Sequence, residues 1–146
     1  MIDANTRLIT SAGSPPAVEV CFRVRYHETD AMGIVHHAAY ITWFEEARSA
    51  FTRAIGYPYS RMEQEGISLA VAEVSARYHR PARYDDEMRV TATLSQLGSR
   101  GMTFSYEVRR ATDNELLVSG ATKHVSVDPL GRVALLPGNL RDLLNL

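Results

Sequence analysis

The sequence predicts an α+β domain in which an antiparallel sheet of about five strands wraps around one long helix. Three observations indicate this class: alternating apolar residues in several segments after position 17, one segment with helical apolar spacing, and short turn-rich connections between the later segments. The chain has 146 residues, which accommodates a single domain. We place that domain at residues 18–146 and predict a flexible tail at residues 1–17.

The first predicted strand follows this tail, which is rich in Ser, Thr, Gly and Pro. From residue 18 onward apolar and polar side chains alternate, as in a strand with one buried face. The apolar positions are Val18, Val20, Phe22, Val24 and Tyr26. The alternation ends in a polar, turn-like segment at residues 27–33.

The long helix is predicted from apolar residues spaced three and four positions apart. These residues are Tyr40, Trp43, Phe44, Ala47, Ala50, Phe51, Ala54 and Ile55. Gly56 and Pro58 are typical of a helix end. No Ser, Thr, Asp or Asn directly precedes the helix, so we expect its first N–H groups to lack a side-chain cap and to be free for a ligand.

Strand patterns dominate the rest of the chain. The first covers Leu69 to Tyr78, with a change of phase near Glu73 that predicts a bulge. Three further strands begin near Met88, Met102 and Leu116, and turn-forming residues separate them at 98–101 and 113–114. Short connections favour an antiparallel meander. Leu140, Leu143 and Leu144 predict a short closing helix.

The composition excludes several classes of protein. The net charge of −1 excludes binding of nucleic acid through bulk phosphate attraction. No run approaches the roughly 18 apolar residues of a membrane span. The single cysteine, Cys21, excludes an intrachain disulfide framework and a cysteine-built zinc site, and the spacing of the histidines does not indicate a metal site. We expect a cytoplasmic protein with no metal, no cofactor, and no nucleic-acid or membrane partner.

Two segments resemble a known family. Residues 26–40 (YHETDAMGIVHHAAY), with Trp43-Phe44-Glu45-Glu46-Ala47-Arg48 after them, resemble the signature of hotdog-fold acyl-CoA thioesterases of the 4-hydroxybenzoyl-CoA thioesterase type. Residues 78–86 resemble the hinge between the second and third strands of that family. One residue departs from the pattern: close relatives often have an aromatic residue at the position of His36, which bears on substrate specificity.

The resemblance implies a hotdog fold that hydrolyses acyl-CoA thioesters, with Asp30 as the catalytic carboxylate. It also implies a homodimer unit formed by two sheets across a twofold axis, which we expect to double into a homotetramer. The chemistry agrees, since a thioester requires a nucleophile or an activated water together with donors for the developing oxyanion. Asp30 fits either role, and the N–H groups near His37 and Ala38 would receive the oxygen.

Five other residues complete the predicted site. His37 would contribute its backbone N–H and a side chain that orients the site, and Gly33 would allow close approach of the substrate. Tyr40 is predicted either to bind substrate or to lie in the core. Arg83 and Arg100 are the favoured candidates for the phosphates of coenzyme A. The acyl group stays open, as does an acyl-carrier-protein thioester in place of the CoA thioester.

Several alternatives remain at this point. Asp30 has a simpler interpretation as a turn residue. Glu45 and Glu46 lie on the predicted helix, where another branch of the fold places its catalytic acid, although Glu45 could instead pair with Arg48 on an exposed face. Two rival hypotheses are that the domain acts as a hydratase or dehydratase on enoyl thioesters, or that it binds acyl-CoA without reaction.

Overall fold

The structure, a computed structural model, describes residues 4–144 and contains one six-stranded antiparallel sheet with helices on one face. The spatial order of the strands is β1-β2-β4-β5-β6-β3. The strands are β1 (Thr6–Ile9), β2 (Ala17–Arg23), β3 (Ser68–Tyr78), β4 (Glu87–Leu97), β5 (Gly101–Arg110) and β6 (Leu116–Val127). The helices are α1 (Ala39–Ala54), α2 (Tyr59–Gln64) and α3 (Gly138–Leu144), and a 3₁₀ turn covers Tyr26–Glu28.

The sheet has six strands instead of the predicted five because part of the predicted tail is a strand. Residues 6–9 pair with β2 in an antiparallel register that runs from Thr6↔Val20 to Ile9↔Ala17. Leu8 packs against the core from this strand. Its apolar contact and its backbone pairing explain why a short, polar segment is ordered at the edge of the sheet.

The first predicted strand ends earlier than expected, at Arg23, and Tyr26 lies in the 3₁₀ turn. The other predicted strands are confirmed, including the irregularity. The register of β3 against β6 shifts between Val71 and Glu73, where the sequence predicts a bulge. Strands β4, β5 and β6 form the predicted antiparallel meander. Within residues 4–144, no helix is long and apolar enough to cross a membrane.

The apolar stripe of α1 packs on the inner face of the sheet. The Phe44 ring stacks on that of Tyr106 with centroids 4.3 Å apart, and Phe51 meets Phe104 edge-on at 5.1 Å. At Gly120 on β6, a Cβ atom would lie 2.7 Å from the Phe44 ring and 2.5 Å from the Ser75 carbonyl oxygen. The helix therefore lies so close to β6 that glycine is required there.

A chain of buried polar groups joins the middle of α1 to the sheet. The Arg48 guanidinium donates to the hydroxyls of Tyr59 at 3.0 Å and Tyr106 at 3.1 Å. The Tyr106 hydroxyl contacts Thr122 at 2.6 Å, and Thr122 contacts Nε2 of His124 at 2.7 Å. Arg48 is only 8% exposed, so the predicted surface pair of Glu45 with Arg48 does not form.

Candidate active site

Asp30 lies in a small closed hairpin between the 3₁₀ turn and α1. The His36 N–H donates to the Glu28 carbonyl at 2.8 Å, and the Asp30 N–H donates to the Ile34 carbonyl at 2.9 Å. At the tip, the Gly33 N–H donates to the Asp30 carbonyl at 2.9 Å. Gly33 has φ +76°, a conformation that favours glycine. The hairpin therefore holds Asp30 on a tightly hydrogen-bonded backbone.

The Asp30 carboxylate is half-buried and only partly engaged. Its Oδ1 accepts the N–H of Met32 at 2.9 Å, which is the local turn contact expected of an aspartate in this position. Among residues 4–144, no group donates to its other oxygen, Oδ2. The carboxylate thus stabilises the turn with one oxygen and retains an acceptor, or a nucleophile, in the other.

The N-cap residue of α1, Ala38, forms no side-chain cap hydrogen bond, as the sequence predicts, but its own N–H is engaged by the preceding His36. Nδ1 of His36 accepts the N–H of Ala38 at 3.1 Å, and the His36 carbonyl accepts the N–H of Ala39 at 3.0 Å. The expectation of free N–H groups is therefore wrong for Ala38. In the described part of the chain, the N–H of His37 donates to no protein group.

His37 is exposed and held from two sides. Its ring stacks on that of His36 with centroids 4.2 Å apart, and its carbonyl accepts the hydroxyl of Tyr78 at 2.8 Å. Tyr78 lies at the end of β3, so this contact ties the helix start to the edge of the sheet. The free N–H of His37 lies at the N-terminus of α1, where the helix dipole favours negative charge.

Tyr40 lies in the core. It is 2% exposed, and its ring meets those of Trp43 at 4.8 Å and Tyr78 at 5.5 Å. Burial raises the pKa of its hydroxyl, which is hydrogen-bonded to the backbone of Ala82. This placement favours the core alternative for Tyr40 over direct contact with a substrate, because the packed neighbours leave it no exposed surface.

Arg83 lies beside the hairpin and Arg100 does not. Nη1 of Arg83 is 4.0 Å from the position of a Cβ on Gly33, and Ile34 and Arg83 form an isolated β-bridge. Arg100 lies in the β4–β5 turn, at the other end of the 11-residue strand β4. A strand of that length spans roughly 35 Å. One protomer therefore does not bring Arg100 to Asp30.

The ion pairs distinguish Arg83 and Arg100 from other arginines of the chain. Arg80, Arg109 and Arg110 each pair with a carboxylate. Within the described residues, neither Arg83 nor Arg100 forms such a pair. No group of three or more His, Cys, Asp or Glu side chains between residues 4 and 144 is arranged to hold a metal ion.

Sequence reasoning missed Glu28 and Tyr78 as residues of this site. Glu28 is 8% exposed and accepts the indole N–H of Trp43, whereas Tyr78 reaches His37 from β3. Neither contact has a signal in the local sequence, since each joins segments at least 15 positions apart.

Comparisons with known proteins agree on one family. The family model described as "Thioesterase-like superfamily" matches residues 24–144. Acyl-CoA thioester hydrolase YbgC of Escherichia coli O6:H1 is 31% identical over 74% of this chain and 80% of its own length. The crystal structure of a hypothetical protein, AQ1494 from Aquifex aeolicus, is 36% identical, covers 86% of this chain and 98% of that one, and has a TM-score of 0.81. A complex of 4-hydroxybenzoyl CoA thioesterase with 4-hydroxybenzoyl CoA shares the fold, with a TM-score of 0.80 at 18% identity over 88% of this chain and 98% of that one.

Proposed function

The chain belongs to the thioesterase-like superfamily, and from that premise we propose that it hydrolyses an acyl-CoA thioester to a carboxylic acid and CoA with Asp30 as the reactive carboxylate. The related proteins are named as thioester hydrolases, which supports the same reaction here. The observation that supports the role of Asp30 is a carboxylate with one unengaged oxygen, carried on a hydrogen-bonded hairpin that leads into the start of α1, where the N–H of His37 has no acceptor among the described residues.

The reaction needs few groups. Either Oδ2 of Asp30 attacks the thioester carbon and forms an anhydride that water then hydrolyses, or Asp30 takes a proton from the water that attacks. In both routes the C–S bond breaks and the thiolate leaves without a strong acid, since its parent thiol has a pKa of about 8.5. The N–H of His37 would donate to the developing oxyanion, supported by the dipole of α1.

We further propose that the site is completed by a second copy of the chain. Strand β3 lies at one edge of the sheet and is exposed along most of its length, including Val71 at 49% and Val74 at 43%. An exposed strand edge with apolar side chains is a template for pairing with another strand. Pairing of two copies would give the predicted homodimer unit, with a homotetramer as its doubled form.

The two proposed phosphate contacts fit such an assembly. Arg83 lies beside the hairpin that carries Asp30, so it would bind the CoA of its own protomer. Arg100 lies at the far end of β4 and would reach a substrate bound to a neighbouring protomer. Both guanidiniums are exposed and suit bidentate contact with phosphate oxygens.

A panel of acyl-CoA thioesters tests this function. We expect release of free thiol, detected with a thiol reagent, from at least one aromatic, short-chain or medium-chain substrate. An enoyl-CoA in the panel separates the hydratase alternative, because hydration removes the ultraviolet absorbance of the conjugated thioester and releases no thiol. Saturable binding of acyl-CoA without thiol release from any substrate would favour the binding module instead.

A further inference from the structure

Glu28 is a buried carboxylate that the proposed chemistry does not use. Oε2 accepts the indole N–H of Trp43 at 2.6 Å, and Oε1 accepts the backbone N–H of Arg25 at 2.8 Å. The Arg25 guanidinium also lies 3.5 Å from Oε2. A carboxylate that is removed from water is costly unless donors replace the lost hydration. Here both oxygens have such donors, so the side chain is fixed in one position.

The same residue joins the two halves of the site. The Glu28 carbonyl accepts the His36 N–H and closes the base of the hairpin that carries Asp30. Its side chain holds Trp43, which is 1% exposed and packs edge-on against Phe22 at 5.1 Å. Because Trp43 is one turn into α1, the contact fixes the hairpin to the helix whose start presents the free N–H of His37.

We propose that Glu28 is a positioning residue that sets the carboxylate of Asp30 relative to the N–H of His37. This inference rests on the proposed thioesterase function. Glu28 touches neither reacting atom and acts through the hairpin. Because the carboxylate and the N–H must act on one carbonyl group, a displacement of about 1 Å costs up to about a hundredfold in rate.

Two variants disrupt the hydrogen bond between Glu28 and Trp43, one by changing the acceptor and the other by removing the donor. Glu28→Gln preserves the length of the side chain but replaces one of its two accepting oxygens by an NH2 group, which would face the N–H of Arg25 or of Trp43 donor to donor. Trp43→Phe retains an aromatic ring and removes the donor. For each variant, measured well below its unfolding temperature, we expect kcat for thiol release to fall about ten- to hundredfold with KM nearly unchanged. Glu63→Gln, an exposed carboxylate change on α2, serves as the matched control and should retain wild-type kcat.

An Asp30→Asn background separates positioning from a general structural effect. Since Glu28 acts through Asp30, Glu28→Gln should reduce the residual rate no further once the Asp30 carboxylate is absent. Trp43 is the single tryptophan, so a shift of its fluorescence emission in Glu28→Gln reports loss of the contact directly.

The experiments distinguish a failure of the positioning role of Glu28 from a failure of the proposed role of Asp30. Unchanged kcat in both Glu28→Gln and Trp43→Phe, or an equal further loss in the Asp30→Asn background, would overturn the positioning role alone. Full activity of Asp30→Asn would overturn the role of Asp30 in the proposed function, and that of Glu28 with it.

Discussion

Glu28 and Asp30 are carboxylates two residues apart, and their surroundings give them different uses. Glu28 has donors on both oxygens and almost no exposure, so its charge is committed to holding the fold. Asp30 has one local N–H donor and one oxygen without a protein partner among residues 4–144. A motif alone does not distinguish them, because burial and long-range donors decide which carboxylate is available for chemistry.

His124 is a buried histidine whose protonation is linked to folding. Burial and, to a lesser extent, the nearby Arg48 lower its pKa from 6.5 to about 4. The unfolded chain therefore binds a proton at a higher pH than the folded chain does. The stability that depends on neutral His124 is present above about pH 6.5 and is lost progressively as the pH falls toward 4.

We predict that the free energy of unfolding falls by about 2 kcal/mol between pH 7 and pH 5 through this residue. Urea denaturation of wild type and His124→Gln at pH 7 and pH 5 measures this change in the free energy of unfolding. The variant, which has no imidazole to protonate, should show a smaller pH dependence even if it is less stable throughout. His79→Gln, a change of an exposed histidine, should retain the full dependence; equal slopes in all three proteins would contradict the prediction.

At the scale of secondary-structure elements, the sequence predicts the helices and strands whose residue pattern repeats. It misses the features that depend on partners distant in the chain. The apolar spacing of α1 and the alternation along β4 to β6 persist over several turns or residue pairs, so they are recognisable locally. Strand β1 has only four residues and follows from its pairing with β2. The contact of His36 with the N–H of Ala38 was missed because histidine is not among the residues that usually accept backbone N–H groups at a helix start.

Strand β3 is the element on which the proposed pairing of two protomers rests. Its inward-facing valines are partly exposed, although their counterparts on β4 and β5 are buried under α1. We predict that Val74→Lys lowers the molar mass in light scattering toward the 16.3 kDa of one chain and reduces thioesterase activity, since an inward-pointing charge disfavours pairing of strand edges.

The matched control for this variant is Thr112→Lys, which adds the same charge in the turn between β5 and β6. It should retain both the assembly and the activity of wild type. A wild-type protein that is a monomer at assay concentration and yet fully active would contradict the proposed dimer.

At the scale of the whole molecule, the fold was more predictable than the site. Length and composition restricted the chain to one domain with an apolar core. The resemblance to the thioesterase family identified the segment from Asp30 to Gly33 as part of the predicted site. The apolar stripe offered the core as one placement for Tyr40, but sequence could not reveal that Arg48 is buried, or that Arg83 approaches Gly33 while Arg100 lies at the far end of β4. These placements depend on how the sheet wraps around α1.

The net charge of −1 is compatible with the proposed binding of the CoA phosphates. A charge of −1 excludes a uniformly basic surface but permits separate arginines without carboxylate partners. Arg83 and Arg100 are two such residues within the described chain. The proposed CoA contacts therefore require local positive charge from two protomers, not a basic protein.

The most direct test of the central claim compares thiol release by wild type, Asp30→Asn and Asp142→Asn on the best acyl-CoA substrate. Asp142 lies on α3 and provides the same chemical change on an exposed surface. If Asp30 is the reactive carboxylate, Asp30→Asn lowers kcat by about a hundredfold or more with a modest change in KM, and Asp142→Asn matches wild type. Turnover by Asp30→Asn equal to that of wild type would contradict the account.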